Sequence, residues 1–325
     1  MKDEFAIKLE DVAVRFGKIW ALRGISYDAR YGEFVGVVGT SGAGKTTMLR
    51  VLTGQIKPTS GKAFVAGHDV VKNRKLISLL TGYVPQHEHL SLYYDFSALE
   101  NAQFFGRMYG LKPQKIEESA IEILEILGFD EDLMNKPVKK LSGGERKRVS
   151  ISLGMIHRPP VLFLDEPTTG LDAHLRHEVL NYLKRLNYSL NTTMIIISHD
   201  LEVVDYCSRI VILEKGKVSL FDTPENLIKS MPGKGKTLKL VIPSLTPELQ
   251  RKIRSYPGID YIVRSGRNTI KVFVENPEES LLSAIKTLNE NNIDFEEISV
   301  DETDFFDFFN VKPWKRKKES VSEEG

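Results

Sequence analysis

The hydrophobic pattern changes character several times along the chain. Near the start Ile7 and Leu9, then Val12, Val14 and Phe16, alternate with polar residues, the period of strands with one covered face. Phe34-Val35-Gly36-Val37-Val38 breaks that rhythm. It is apolar throughout, as a strand covered on both faces of a parallel sheet must be. It runs into a glycine-rich turn and a helix expected from Thr46 to about Thr53, with a further strand near 63–66. From Ser97 to Pro160 strand signals are scarce, and Ala120, Ile121, Ile123, Leu124 and Leu127 favour helix. This predicts an inserted helical subdomain over about 88–160. Continuous apolar runs return at 161–164 and 194–197. Between them Leu171, Leu175, Val179, Leu183, Leu186 and Leu190 recur at helical spacing, so a right-handed strand–helix–strand crossover is expected.

Met231-Pro232-Gly233-Lys234-Gly235-Lys236 has the composition of a linker, which places a first domain at 1–232. The stretch 237–310 then reads as βαββαβ. Leu238, Leu240 and Ile242 alternate, Thr246-Pro247 starts a helix, strands at 259–263 and 270–274 flank a Ser-Gly-Arg-Asn turn, and Asn276-Pro277 starts a second helix. A last strand at 293–300 closes the set. That order suggests a small α+β, ferredoxin-like domain, followed by a charged tail at 311–325.

Composition narrows the function. Forty-five basic and 44 acidic side chains leave a net charge of +1 among 325 residues, too balanced for bulk attraction to nucleic acid. The single cysteine, Cys207, excludes an internal disulfide framework and suggests a reducing compartment. No apolar run reaches the roughly 18 residues that would cross a bilayer. The first five residues also lack the apolar core of a signal peptide.

The chemistry begins at Gly39-Thr40-Ser41-Gly42-Ala43-Gly44-Lys45-Thr46, which fits G-x-x-x-x-G-K-[ST]. Glycines let backbone N–H groups turn toward phosphate oxygens while the following helix presents its positive end. Lys45 is expected to reach the β- and γ-phosphates and Thr46 to ligate Mg²⁺, with Thr47 the next residue of the ATP-binding stretch. The run 161–164 delivers two adjacent carboxylates, Asp165 for the Mg²⁺ shell and Glu166 to position and deprotonate the attacking water. An acidic turn after a strand is common by itself; its place in the same inferred sheet as the phosphate loop favours the catalytic reading. The fold class is therefore α/β, a P-loop NTPase.

With Leu141-Ser142-Gly143-Gly144-Glu145 added, the combination resembles the ABC-transporter ATPases over about 5–230. The resemblance implies a RecA-like core with an antiparallel β subdomain. It also implies a head-to-tail homodimer in which two ATP are sandwiched between the phosphate loop of one copy and Ser142, Gly143 and Gly144 of the other. Ser142 and the two glycines open a helix, which makes a second anion-binding end. By the same resemblance Phe16 stacks on adenine, although the family more often has Tyr. Gln86 contacts Mg²⁺ and the water, Asp172 lies in a loop that communicates across the dimer, and His199 senses the γ-phosphate. Glu145 departs from the family's usual glutamine, which is expected to tune the site.

Asp301-Glu302-Thr303-Asp304-Phe305-Phe306-Asp307-Phe308-Phe309 is similar to the acidic-aromatic end of ATPases serving type-2 exporters of drugs, antibiotics, lipids or polysaccharides. It reads equally as a terminal helix packing on its own domain. The expected function is an ATP-hydrolysing subunit at the cytoplasmic face of the membrane, driving a separate transmembrane permease. Two alternatives stand beside it: an importer ATPase whose C-terminal domain senses a ligand, and a soluble ABC ATPase without a transport role. His87-Glu88-His89 reads as a solvated loop or permease contact rather than a metal site. The Lys312–Lys318 stretch around Trp314 reads as a solvated tail, and Cys207 as a buried, inert thiol.

Overall fold

A computed structural model describes residues 5–88 and 91–311. The chain divides into two compact units, 1–221 and 222–325. In the first, β1 (Phe5–Phe16) and β2 (Ile19–Arg30) form an antiparallel pair. β3 (Phe34–Val38) is buried at every residue and leads through the 39–44 loop into α1 (Lys45–Leu52). β4 (Ser60–Val65), the short β5 (His68–Asp69), α2 (Arg74–Leu80) and β6 (Thr81–Val84) follow. The inserted segment carries α3 (Ala98–Met108), α4 (Pro113–Ile126), α5 (Glu131–Asn135) and α6 (Gly143–Met155). The chain then returns to the sheet through β7 (Val161–Asp165), α7 (Ala173–Leu190), β8 (Thr193–Ser198), β9 (Arg209–Glu214) and β10 (Lys217–Asp222).

Among the described residues these strands make two sheets. One has the order β2-β1-β4-β5, the other β10-β9-β3-β8-β7-β6. In the second, β3 pairs in parallel with both β8 and β9, and β7 with both β8 and β6. The continuous apolar runs are explained by this order: β3, β7 and β8 are interior strands, buried along their whole length. One core joins the antiparallel sheet (Ile7, Val14, Ile25), α1 (Met48, Leu52) and the parallel sheet (Val37, Phe163, Ile197). Four of the five parallel strands, β3, β8, β7 and β6, end next to one another at the same side of the sheet, where ligands of open α/β sheets bind.

The second unit begins with α8 (Pro224–Lys229), capped by the Thr223 hydroxyl, which accepts from the Asn226 N–H at 3.2 Å. A turn over Pro232–Gly235 leads into β11 (Lys236–Val241), α9 (Pro247–Arg254), β12 (Tyr261–Arg264), β13 (Thr269–Phe273), α10 (Pro277–Glu290), β14 (Glu297–Glu302) and α11 (Phe305–Val311). The strand order is β12-β13-β11-β14 with every pairing antiparallel. The division falls ahead of Met231, where composition alone places the linker. The reason is that α8 contacts α11 and the Pro232–Gly235 turn, so it belongs to the second unit's packing.

The acidic-aromatic segment divides, with Asp301 and Glu302 ending β14 and the aromatic half from Phe305 folding as α11, which buries Phe305 and Phe308 in its own unit. Lys271 on β13 donates to the buried Asp307 carboxylate at 2.6 Å, tying α11 to the sheet. Burial pushes the Asp307 carboxyl above its usual range, against the pull of the lysine. Cys207 is buried after a single 3-10 turn, and burial pushes its thiol far up, so the sulfur stays protonated and unreactive. His89 and the basic tail beyond Val311 lie outside the described residues.

Candidate nucleotide site

At the edge where the parallel strands end lies a cleft of about 460 Å³, of the size that holds a small organic ligand. Its walls are Ser41 to Thr47, Gln86, Asp165, Glu166 and His199, together with Ile19, Trp20 and Ala21. The topology explains the convergence. The phosphate loop follows β3, the 199 loop follows the adjacent β8, the two carboxylates end β7 next to it, and Gln86 follows β6. Four sequence-distant segments are thereby presented along one line of strand ends.

The 39–47 loop is shaped by glycine. A Cβ on Gly39 would meet the Leu213 carbonyl oxygen at 2.2 Å, so only glycine lets the loop leave β3 against β9. Gly44 has φ +106 and would place a Cβ 2.5 Å from the Ala21 carbonyl. It starts α1 with no side-chain cap and no acidic residue in the first turn, which leaves the positive helix end open for an anion. The Lys45 ammonium, itself buried, donates to the carbonyls of Gly39 at 2.7 Å and Thr40 at 3.3 Å. Burial lowers its proton affinity, while Glu166 and Asp165 oppose that shift.

The carboxylates differ in setting. Asp165 is buried, and burial raises its pKa; the Tyr83 hydroxyl on β6 lies 3.4 Å from Oδ2 and lowers it. Tyr83 in turn is pushed up to about 12, first by burial and then by Asp165. Glu166 has φ +50, a left-handed backbone that costs a non-glycine residue about 1 kcal/mol or more. Its N–H bonds the Ile197 carbonyl at 2.9 Å, and its Oε2 lies 2.7 Å from His199 Nδ1. The turn thus swings a carboxylate onto the end of β8, where an imidazole meets it.

The remaining sequence-derived candidates separate into two groups. Phe16 ends β1, is 52% exposed and is not a lining residue; its cross-strand neighbour Ile19 is, and so is Trp20. Gly39 and Thr40 lie behind the wall and serve as acceptors for Lys45. Ser142, Gly143, Gly144 and Asp172 do not line the cleft at all. Ser142 caps α6 in a reciprocal box: its hydroxyl accepts from the Glu145 N–H at 3.2 Å, and the Glu145 carboxylate accepts from the Ser142 N–H at 2.6 Å. Asp172 caps α7, accepting from the Leu175 N–H at 2.9 Å, and Leu175 covers Gly144.

Two residues of this region escape sequence reasoning. Trp20 reads as a strand residue; the aromatic face it offers to the Arg15 guanidinium, 5.5 Å from the ring centroid, is set by a hairpin register no motif marks. Lys147, a charged residue within the inserted helical segment, is fully buried. Its ammonium donates to the Gln86 carbonyl at 2.9 Å and lies 3.9 Å from Glu88, so α6 is fastened to the segment that carries Gln86. Burial lowers its pKa against the pull of Glu88.

Comparison with known proteins agrees with this geometry. A sequence model of the family described as ABC transporter matches residues 22–169. The chain is 30% identical to the linearmycin resistance ATP-binding protein LnrL of Bacillus subtilis over 91% of its own length and 94% of that protein. It is 32% identical to the daunorubicin resistance ATP-binding protein DrrA3 of Streptomyces coeruleorubidus, over 91% of this chain and 92% of that one. Among solved structures it is similar to the ATP-binding cassette MJ0796 in a dimeric, post-hydrolysis state bound to ADP and Pi. There the TM-score is 0.58 and the identity 28%, over 67% of this chain and 98% of that one.

Proposed function

This chain belongs to the ABC transporter family and is an ATP-binding, ATP-hydrolysing subunit of it, and from that premise we propose that it works as a head-to-tail homodimer powering an exporter. The observation that carries the dimer is the split of the site. The phosphate loop, Glu166 and His199 share one cleft, while Ser142, Gly143, Gly144 and Asp172 stand outside it. A helix end rich in backbone donors with no phosphate of its own to bind is supplied with one by a second copy. The similar cassette cited above is dimeric in a post-hydrolysis state bound to ADP and Pi, which supports a dimer here.

In this reading ATP is the substrate. Lys45, Thr46 and the N–H groups of 41–47 hold its phosphates, and its base lies along the hairpin wall of Ile19 and Trp20, with the exposed Phe16 beside that wall. Thr46, Gln86 and Asp165 are hard oxygen donors suited to Mg²⁺, which would neutralise phosphate charge there. Glu166 takes a proton from the attacking water, and His199 holds that carboxylate and the γ-phosphate in place. Bound ATP favours the closed pair, and hydrolysis removes the preference. The motion is passed to a transmembrane permease, which puts the subunit at the cytoplasmic face of the membrane with no nucleic acid partner. Among the described residues no helix is long and apolar enough to cross the membrane itself.

Export is favoured over the importer and soluble alternatives because the matches to the two resistance proteins run over 91% of the chain and so extend into the second unit. We assign that unit to the ferredoxin-like class, supported by its βαββαβ order and antiparallel sheet. The test of the dimer is Glu166→Gln, which removes the base and keeps the shape. With ATP and Mg²⁺ it is expected to accumulate as a dimer by light scattering while turnover falls about a hundredfold or more. A variant that hydrolyses ATP near the normal rate, or stays monomeric with ATP bound, would overturn the proposal.

A further inference from the structure

The C-terminal unit holds a cavity of about 120 Å³ between its sheet and its helices, and no charged residue lines it. Leu240 and Val272 on the sheet form the floor. The roof is α10, of which Ala284, Thr287 and Leu288 line the cavity and the exposed Ser283 borders it, while Leu282 is 78% exposed. Leu288 near the end of α10 is buried and Leu281 packs against the same core, while between them the helix offers the cavity only the small side chains of Ser283, Ala284 and Thr287. The space follows from those small side chains.

The polar groups around the cavity are of two kinds. The Ser283 hydroxyl donates to the Ser280 carbonyl at 2.9 Å and the Thr287 hydroxyl to the Ser283 carbonyl at 2.8 Å, so both donors are already used. The Tyr256 hydroxyl, on the chain just after α9, is buried and has no hydrogen-bond partner. A buried hydroxyl left unpaired is destabilising, and the native arrangement is one in which something accepts from it.

We propose that this cavity is a binding site for an uncharged molecule of single-ring size, with an apolar body and one oxygen that accepts from the Tyr256 hydroxyl. The volume is close to the roughly 150 Å³ of an engineered cavity that admits benzene. Absence of lining charge selects against carboxylates, amines and phosphates, whose desolvation nothing here would repay. The site is separate from the nucleotide cleft in chemistry as well as in position along the chain, and does not depend on the export reading.

Acetophenone supplies an aromatic body and one carbonyl acceptor, and benzoate is its charged counterpart. Titrated into the full-length protein saturated with ATP, which keeps the probe from the hairpin wall of the nucleotide cleft, acetophenone is expected to bind saturably in the millimolar range or tighter. Benzoate is expected not to bind. Tyr256→Phe, which removes only the hydroxyl, should weaken acetophenone about tenfold. Ala284→Phe should fill the space and abolish binding, with Thr287→Leu as the milder filling variant, each accepted only if ATP binding is retained. No saturable binding of acetophenone, equal binding of benzoate, or an affinity indifferent to Tyr256→Phe and to the filling variants would each overturn the proposal.

Discussion

Two helices in the first unit begin with glycine-rich turns, and they treat their N-termini in opposite ways. α1 starts behind Gly44 with no side-chain cap and no acidic residue in its first turn. α6 starts behind Ser142 with both halves of a capping box in place, and Glu145 puts a carboxylate at the positive end. An uncapped end keeps its donors for a ligand, whereas a capped end has satisfied part of its demand internally. The first is therefore an anion site in a single chain. The second attracts a phosphate more weakly and engages, in the proposed dimer, only when a second copy delivers one. This difference gives an order to the cycle, nucleotide first and pairing afterwards.

The comparison breaks most severely at Lys45. Lys45→Ala removes the one cation of the open end and two of the bonds that shape its loop, and ATP affinity is expected to fall about a hundredfold, roughly 2.7 kcal/mol. Equilibrium titration with a fluorescent nucleotide checks this; retention of affinity within threefold contradicts it. Ser142→Arg attacks the capped end instead. It should leave ATP affinity of the monomer within about twofold while weakening the ATP-dependent dimer about fiftyfold, read by sedimentation. Equal damage to both quantities would show that the two ends are not separable.

A smaller effect is expected at the fastening between α6 and the Gln86 segment. Lys147→Met keeps the buried stem and deletes the donor to the Gln86 carbonyl. Turnover should drop about tenfold with the nucleotide affinity nearly unchanged; unchanged turnover in a folded variant would mean that the link is only structural. The mildest change is Glu145→Gln, which keeps an acceptor for the Ser142 N–H and removes the charge. The ATP-dependent dimer should tighten about threefold at low salt, and the gain should fade as salt screens it. No change at any ionic strength would mean that the carboxylate exerts no field on the incoming phosphate.

Much of this architecture is written locally. The interior strands β3, β7 and β8 announce themselves because burial on both faces demands unbroken apolar runs, and the 39–46 loop because only glycines fit against Leu213 and Ala21. Adjacency of β3, β8 and β7 is not local, yet it is what brings His199 to Glu166. The helix α6 has no apolar stripe to read, since it is buried almost all around from Lys147 to Met155 and carries cations that would ordinarily mark a wet face. Arg148 is accounted for inside, donating to the Leu127 carbonyl at 2.8 Å and lying over the Tyr182 ring. The early start of the second unit did have a signal: Thr223-Pro224 is a cap followed by proline at the first helical position, and it outweighs the linker-like composition further on.

In the proposed mechanism the left-handed turn at Glu166 ties robustness and catalysis to a single side chain. A glycine there would sit at ease in the same conformation, and the protein would melt at a higher temperature for having lost it. Random screens for heat-resistant variants of this chain should therefore be drawn to that position and return inert proteins. On the proposed role of Glu166, the molecule keeps a permanent local discomfort because the alternative is comfort without turnover.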